Sequence, residues 1–170
     1  MIIDLANLGI AAKAIVQTFD LAEIDLDGES VRLIGPLVFN GEIQRTERKG
    51  HLSGAVEGDV SIDCTRCLEP IERHLMLPFR AIFVDPGDEE VKADVEISDE
   101  ALDESIVAGG RIDLAEVVRE QVLLAMPEQA FCREGCRGLC PKCGSNLNLI
   151  DCKCADDEID PRWAALKNLK

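Results

Sequence analysis

The chain has no tyrosine, one tryptophan and only two histidines among its 170 residues. The two histidines, His51 in a basic turn and His74 at a polar strand position, read as solvated residues rather than as a base or ligand. No G-x-S-x-G, P-loop or H-E-x-x-H motif is present, and no carboxylate is singled out by its spacing, so neither an enzyme nor a small-molecule substrate is expected. No run approaches the roughly 20 apolar residues of a membrane span. The opening Met1-Ile2-Ile3-Asp4-Leu5 lacks a basic n-region, and Asp4, Asn7 and Lys13 interrupt its apolar character. A cytoplasmic protein with no membrane partner is therefore expected. Positive charge is also scarce: 18 Lys and Arg stand against 33 Asp and Glu, a net charge of −15. Such a field repels nucleic acid at long range and favours basic partners.

Charge of both signs is unevenly spread. From Asp85 to Glu104 there are ten acids and one lysine, opening on the turn signal Asp85-Pro86-Gly87-Asp88. A run of this kind is a solvated connection or a docking surface for a basic polypeptide. Arg45, Arg48, Lys49 and His51 form one basic cluster, and Arg133, Arg137 and Lys142 form another among the cysteines. The second set would offset thiolate charge, or contact RNA or a partner.

Alternation of apolar and polar residues dominates the first 85 positions. Residues 13–26 hold β-formers and end at the turn signal Asp27-Gly28. Val31 to Phe39 reads as a strand broken at Gly35-Pro36, and Asn40-Gly41 is a hairpin signal. Leu52 to Cys64 alternates with one wet face, and Gly50, Gly54 and Gly58 suggest bulges in a curved sheet. Ile71 to Leu77 and Arg80 to Val84 close the run. Gly109-Gly110 then turns the chain into an amphipathic helix, capped by Asp113 with Glu116 three positions on. Leu114, Val117, Val118, Val122 and Ala125 form its stripe, Leu123 and Leu124 widen it, and Pro127 ends it. Asp160-Pro161 opens a short terminal helix with Trp163, Leu166 and Leu169 on one side, and Trp163 as packing anchor. The expected class is α+β. Residues 1–85 form an antiparallel domain, a strongly curved sheet or partly open barrel; 86–110 form an acidic connection. Residues 111–170 form the helix and a cysteine-rich segment packed on the β domain.

What the chain does have is eight cysteines, arranged as Cys64-x2-Cys67, Cys132-x3-Cys136-x3-Cys140-x2-Cys143 and Cys152-x-Cys154. Four thiolates close one tetrahedral site, so eight supply two structural zinc sites. In Cys140-Pro141-Lys142-Cys143-Gly144, Pro141 fixes one φ and Gly144 is free to take a left-handed one, the turn a metal knuckle needs. Disulfides belong to oxidising compartments, and a thioredoxin-like Cys64-x2-Cys67 would need a βαβ context that strand alternation denies it. Cys136-x3-Cys140-x2-Cys143 also has the spacing of an iron–sulfur site, which leaves an iron–sulfur or redox enzyme as a distant alternative. Cys140, Cys143, Cys152 and Cys154 flank an eight-residue loop and can form one local site. Cys64, Cys67, Cys132 and Cys136 would then share the other zinc and staple the sheet to the segment after the helix. Grouping Cys132, Cys136, Cys140 and Cys143 instead would strand the pair at Cys64, leaving reactive thiols.

Several of these segments together resemble the YceD family of bacterial and plastid proteins. The likeness is carried by Cys64-x-Arg66-Cys67-Leu68-x-Pro70, by Ile112-Asp113-Leu114 through Leu124-Ala125-Met126-Pro127, and by Cys136-x-Gly138-Leu139-Cys140-Pro141-x-Cys143-Gly144. It continues through Asn146-Leu147-Asn148, Cys152-x-Cys154 and Asp160-Pro161-Arg162. The resemblance implies a role in large-subunit ribosomal RNA processing or accumulation. It also implies a link to a small, basic, zinc-knuckle ribosomal protein, whose gene often lies beside that of a family member. Two readings follow: an acidic adaptor for a basic ribosomal protein or assembly factor, and a zinc protein that contacts ribosomal RNA directly.

Overall fold

The computed structural model describes residues 1–26, 31–86, 104–154 and Arg162. Two sheets and one α-helix are formed among the described residues. Strand β1 (Ile2–Asp4) pairs antiparallel with β8 (Arg111–Asp113), immediately before helix α1 (Leu114–Leu124). The larger sheet holds β2 (Lys13–Phe19), β3 (Val31–Leu33), β4 (Leu37–Thr46), β5 (Lys49–Asp63), β6 (Pro70–Val84) and β7 (Glu104–Ile106). Its order is β2-β4-β5-β6-β7, with β3 pairing alongside β5.

Period-two alternation places Leu52, Val56, Val60 and Ile62 of β5 in the core while Glu57 and Asp59 face water. The helix buries Leu114, Val117, Val118 and Val122, a stripe at helical spacing, in the same core as Phe19, Leu37 and Phe39. Each such side chain contributes about 1.5–3 kcal/mol by leaving water. Asp113 caps the helix, its carboxylate accepting from the Ala115 amide at 3.0 Å. Leu124 belongs to no apolar face: it is 79% exposed. No described helix is long and apolar enough to cross a membrane.

The α+β class stands, but the curved antiparallel sheet or partly open barrel does not. The sheet is open and mixed, ending at β2 on one side and at β7 on the other, and β7 runs parallel to β6. The glycines explain the error. Pairing of β5 with β4 and with β6 runs in unbroken register, so Gly50, Gly54 and Gly58 make no bulge. They make room instead. A Cβ on Gly54 would lie 2.7 Å from the Phe39 ring, and one on Gly58 would lie 2.5 Å from Leu37 Cδ2. Without bulges the long strands have no corner at which to curl. Asn40-Gly41 is likewise not a turn. It lies inside β4, where Gly41 faces Gly54 across the ladder, and the chain reverses at Glu47-Arg48 with Glu47 at φ 56°. The two runs on either side of Pro78 form one strand. Pro78 sits opposite Ala55, where β6 has β5 as its paired neighbour. The turn at Asp27-Gly28, the acidic residues 87–103 and the terminal helix with Trp163, Leu166 and Leu169 lie outside the described residues.

Candidate metal centres

The eight thiols come together as two groups of four, with the sulfurs of each group within 4.8 Å of one another. The first group is Cys64, Cys67, Cys132 and Cys136; the second is Cys140, Cys143, Cys152 and Cys154. This is the stapled grouping. The end of β5 supplies one pair and the segment after α1 the other. Cys64 Sγ lies 3.8 Å from Cys136 Sγ, and Cys67 Sγ 3.6 Å from Cys132 Sγ. Four sulfurs around one ion with ~2.3 Å bonds sit ~3.8 Å apart, whereas a disulfide would need ~2.05 Å.

Two matching turns hold the knuckles. The Leu68 amide donates to Cys64 O at 2.9 Å, as the Gly144 amide donates to Cys140 O at 2.9 Å. The Cys64 amide donates to Glu69 O and the Cys140 amide to Ser145 O, both at 2.8 Å. The residue after the second cysteine is left-handed in each, Leu68 at φ 60° and Gly144 at φ 72°. Thr65 and Arg66 tie the first knuckle to the later segment. The Thr65 amide donates to Ala130 O at 2.8 Å, Arg66 Nη1 donates to Cys136 O at 3.0 Å, and the guanidinium stacks 4.3 Å over Phe131.

In both groups the sulfurs and nearby donors set one another's protonation. Burial alone would raise the Cys64 thiol, but amides of Cys67, Arg66 and Cys132 outweigh it and bring it down to about 6. The Glu69 amide favours a thiolate at Cys67, yet burial and the sulfurs of Cys64, Cys136 and Cys132 prevail and push it up to about 12. In the second group Ser145, through hydroxyl and amide, lowers Cys143 to about 6. Cys143 in turn, with burial and Cys140, pushes Cys154 up to about 12. Thiolates this close repel, so a thiolate at one position keeps a neighbour protonated; a bound cation lets all four ionise. The donor set therefore fits a thiophilic tetrahedral ion.

The groups differ in exposure. Cys64, Cys67 and Cys136 are buried and Cys132 is half-buried; Cys143 and Cys154 are exposed, with Cys140 buried and Cys152 half-buried. The basic residues among the cysteines do not ligate. Arg133, Arg137 and Lys142 are exposed, and Arg137 pairs with Asp151 at 2.7 Å. Of the earlier basic cluster, Arg45 donates to the carbonyls of Glu47 and Leu5, and Lys49 pairs with Glu104. His74 is more than a solvated residue: its Nδ1 lies 2.8 Å from Asp59 Oδ1, a hydrogen bond that raises its pKa. In the sequence Asn146 and Asn148 figure only within the Asn146-Leu147-Asn148 stretch of the YceD resemblance, and nothing in their spacing or in that of Glu69 points to a contact with the thiols.

The profile of the family described as "Large ribosomal RNA subunit accumulation protein YceD" matches residues 52–170. This chain belongs to the YceD family. Among its relatives, an uncharacterised protein of Mycobacterium leprae is 25% identical over 173 residues, spanning 99% of this chain and 77% of its own length. The uncharacterised protein YlbN of Bacillus subtilis is 25% identical over 154 residues, 90% of this chain and 85% of its own length. The chloroplastic large ribosomal RNA subunit accumulation protein YCED homolog 1 of Arabidopsis thaliana is 26% identical over 156 residues, 79% of this chain and 49% of its own length. No solved structure matches. The bacterial likenesses reach into the N-terminal strands, where the sequence carries no YceD motif. The YceD description names the accumulation of an RNA and no reaction.

Proposed function

We propose that this protein is a non-enzymatic ribosome biogenesis factor, held together by two zinc ions, that serves as an acidic adaptor for a basic large-subunit ribosomal protein or assembly factor. The observation that carries the reading is a net charge of −15 on a member of a family defined by large-subunit ribosomal RNA accumulation. Zinc is favoured over an iron–sulfur cluster by the sulfur separations of 3.6 and 3.8 Å, which suit one shared ion. A cluster divides its four thiolates between two or four irons and so spreads some of the sulfurs further than one shared ion does. Charge complementarity makes capture of a basic partner fast and salt-sensitive, while apolar contacts set its lifetime. Direct contact with ribosomal RNA through Arg133, Arg137 and Lys142 has less support, since Asp151 already engages Arg137.

The test compares capture of purified basic ribosomal proteins with binding of ribosomal RNA alone, each over a salt series. Neutralising Glu89, Glu90, Asp99 and Glu100 should slow protein capture and leave two zinc ions bound. If capture is unchanged while Arg137→Ala or Lys142→Ala abolishes RNA association, the RNA-contact reading replaces the adaptor.

A further inference from the structure

The loop between Cys143 and Cys152 belongs to the second centre by its ends, but its side chains reach the first. Asn148 Nδ2 donates to Cys136 Sγ at 3.3 Å, and Asn148 Oδ1 accepts from the Arg137 amide at 2.8 Å. The backbone donor fixes which end of the amide faces the sulfur. Asn146 lies two residues earlier. Its Nδ2 donates to Glu69 Oε1 at 2.9 Å, and its Oδ1 accepts from the Asn148 amide at 2.9 Å. Glu69 is part of the first knuckle's turn: its carbonyl accepts from the Cys64 amide, and its Oε2 lies 3.8 Å from Cys67 Sγ. One loop thus touches Cys136 of one cysteine pair directly and reaches the other pair through Glu69. The Leu147 amide, donating to Gly138 O at 2.9 Å, pins the loop between these two contacts.

We infer that Asn148 and Asn146 couple the two centres, so that metal held by Cys140, Cys143, Cys152 and Cys154 tightens metal held by Cys64, Cys67, Cys132 and Cys136. The inference rests on the metal reading proposed above. The physical route is short. An N–H···S bond disperses thiolate charge and orients the ligand, and such outer-shell partners typically change metal affinity 10–100-fold. Metal at the second centre clamps Cys143 to Cys152 and holds the loop in the conformation that aims both asparagines. An empty second centre frees the loop ends, and the first centre loses its amide donor and the strut to Glu69. Because binding free energies are linked, the first metal tightens the second by the same factor. Asn148 is a positioning residue in this scheme and binds no metal itself.

The experiment follows zinc release from the full-length, zinc-loaded protein into excess 4-(2-pyridylazo)resorcinol, with Cys64→Ser identifying the phase that belongs to the first centre. Asn148→Asp keeps the shape and replaces the donor with an acceptor, so it separates hydrogen bonding from packing. Both Asn148→Asp and Asn148→Ala should speed first-centre release by about tenfold or more, with far-UV circular dichroism unchanged. In the cobalt-substituted protein, Asn148→Asp should shift the sulfur-to-metal charge-transfer band of the first centre. Cys154→Ser, which empties the second centre, should speed first-centre release comparably, and adding Asn148→Ala to it should change little more. First-centre release within twofold of wild type in both Asn148 variants overturns the coupling, as does full additivity of Cys154→Ser with Asn148→Ala. A wild-type protein that retains no metal overturns the zinc reading and the coupling together.

Discussion

The two groups of four cysteines have the same composition but draw their residues from different parts of the chain. In the first, Cys67 and Cys132 are 65 residues apart and Cys64 and Cys136 are 72 apart. A metal there closes a loop that contains β6, β7, β8 and α1, and it joins the end of the longest strands to the segment after the helix. In the second, all four cysteines lie between Cys140 and Cys154, and a metal there would close only a local turn and loop. Loop-closure entropy grows with the length enclosed, so a metal at the first group would restrain far more of the unfolded chain than one at the second. Burial sharpens the contrast, with three of the first four thiols buried and two of the second four exposed. The first group of thiols is mostly buried in a cluster of its own, and the second is local in sequence and more exposed.

The largest effect is therefore expected at the first centre. Cys64→Ser removes a fully buried ligand at 0% exposure. It should drop bound zinc from two ions to one and lower folding stability by about 5 kcal/mol or more, since metal binding energy is folding energy at such a site. Metal analysis with urea unfolding reads both quantities. Unchanged zinc and an unchanged unfolding midpoint would mean that Cys64 is no ligand and that the stapled assignment is wrong.

Cys154→Ser should also lose one zinc but behave otherwise. The exposed ligand sits in a segment outside the sheet and the helix. The stability loss should be about 1–2 kcal/mol, with β5 and β6 amides still protected in hydrogen exchange. Equal losses for Cys64→Ser and Cys154→Ser would erase the distinction between the centres.

The grouping of the thiols was legible in sequence because cysteine spacing is a strong signal, and because a pair left without partners is chemically awkward. The helix was legible from the spacing of Leu114, Val117, Val118 and Val122 and from its Asp113 cap. The sheet's shape was not. A glycine in an alternating strand has two meanings, a bend in the backbone or space for a neighbour's side chain, and only the position of Phe39 and Leu37 decides between them. The same ambiguity turned Asn40-Gly41 into a false hairpin. Strands of three residues such as β1, β7 and β8 carry too few positions to show a period, and β7 pairs with β6 in parallel only through tertiary placement. Asn148 and Glu69 gained their roles from what folding brings beside them.

The smallest expected effect tests whether the two knuckles are the same device. Both turns place the residue after the second cysteine in the left-handed region, yet one uses Gly144 and the other Leu68. A side chain there costs roughly 1–2 kcal/mol that glycine avoids, and Leu68 recovers little by packing, being 63% exposed. Glycine also loosens the unfolded chain, which returns about 0.4–1 kcal/mol of that difference. Leu68→Gly should therefore stabilise the protein by about 0.5 kcal/mol, and Gly144→Leu should weaken zinc binding at the second centre by a somewhat larger amount. Thermal unfolding reads the first change and competition with a chelator the second. If Leu68→Gly instead destabilises the protein while both zinc ions stay bound, the leucine side chain has a contact of its own, and the two knuckles share a backbone turn without sharing a purpose.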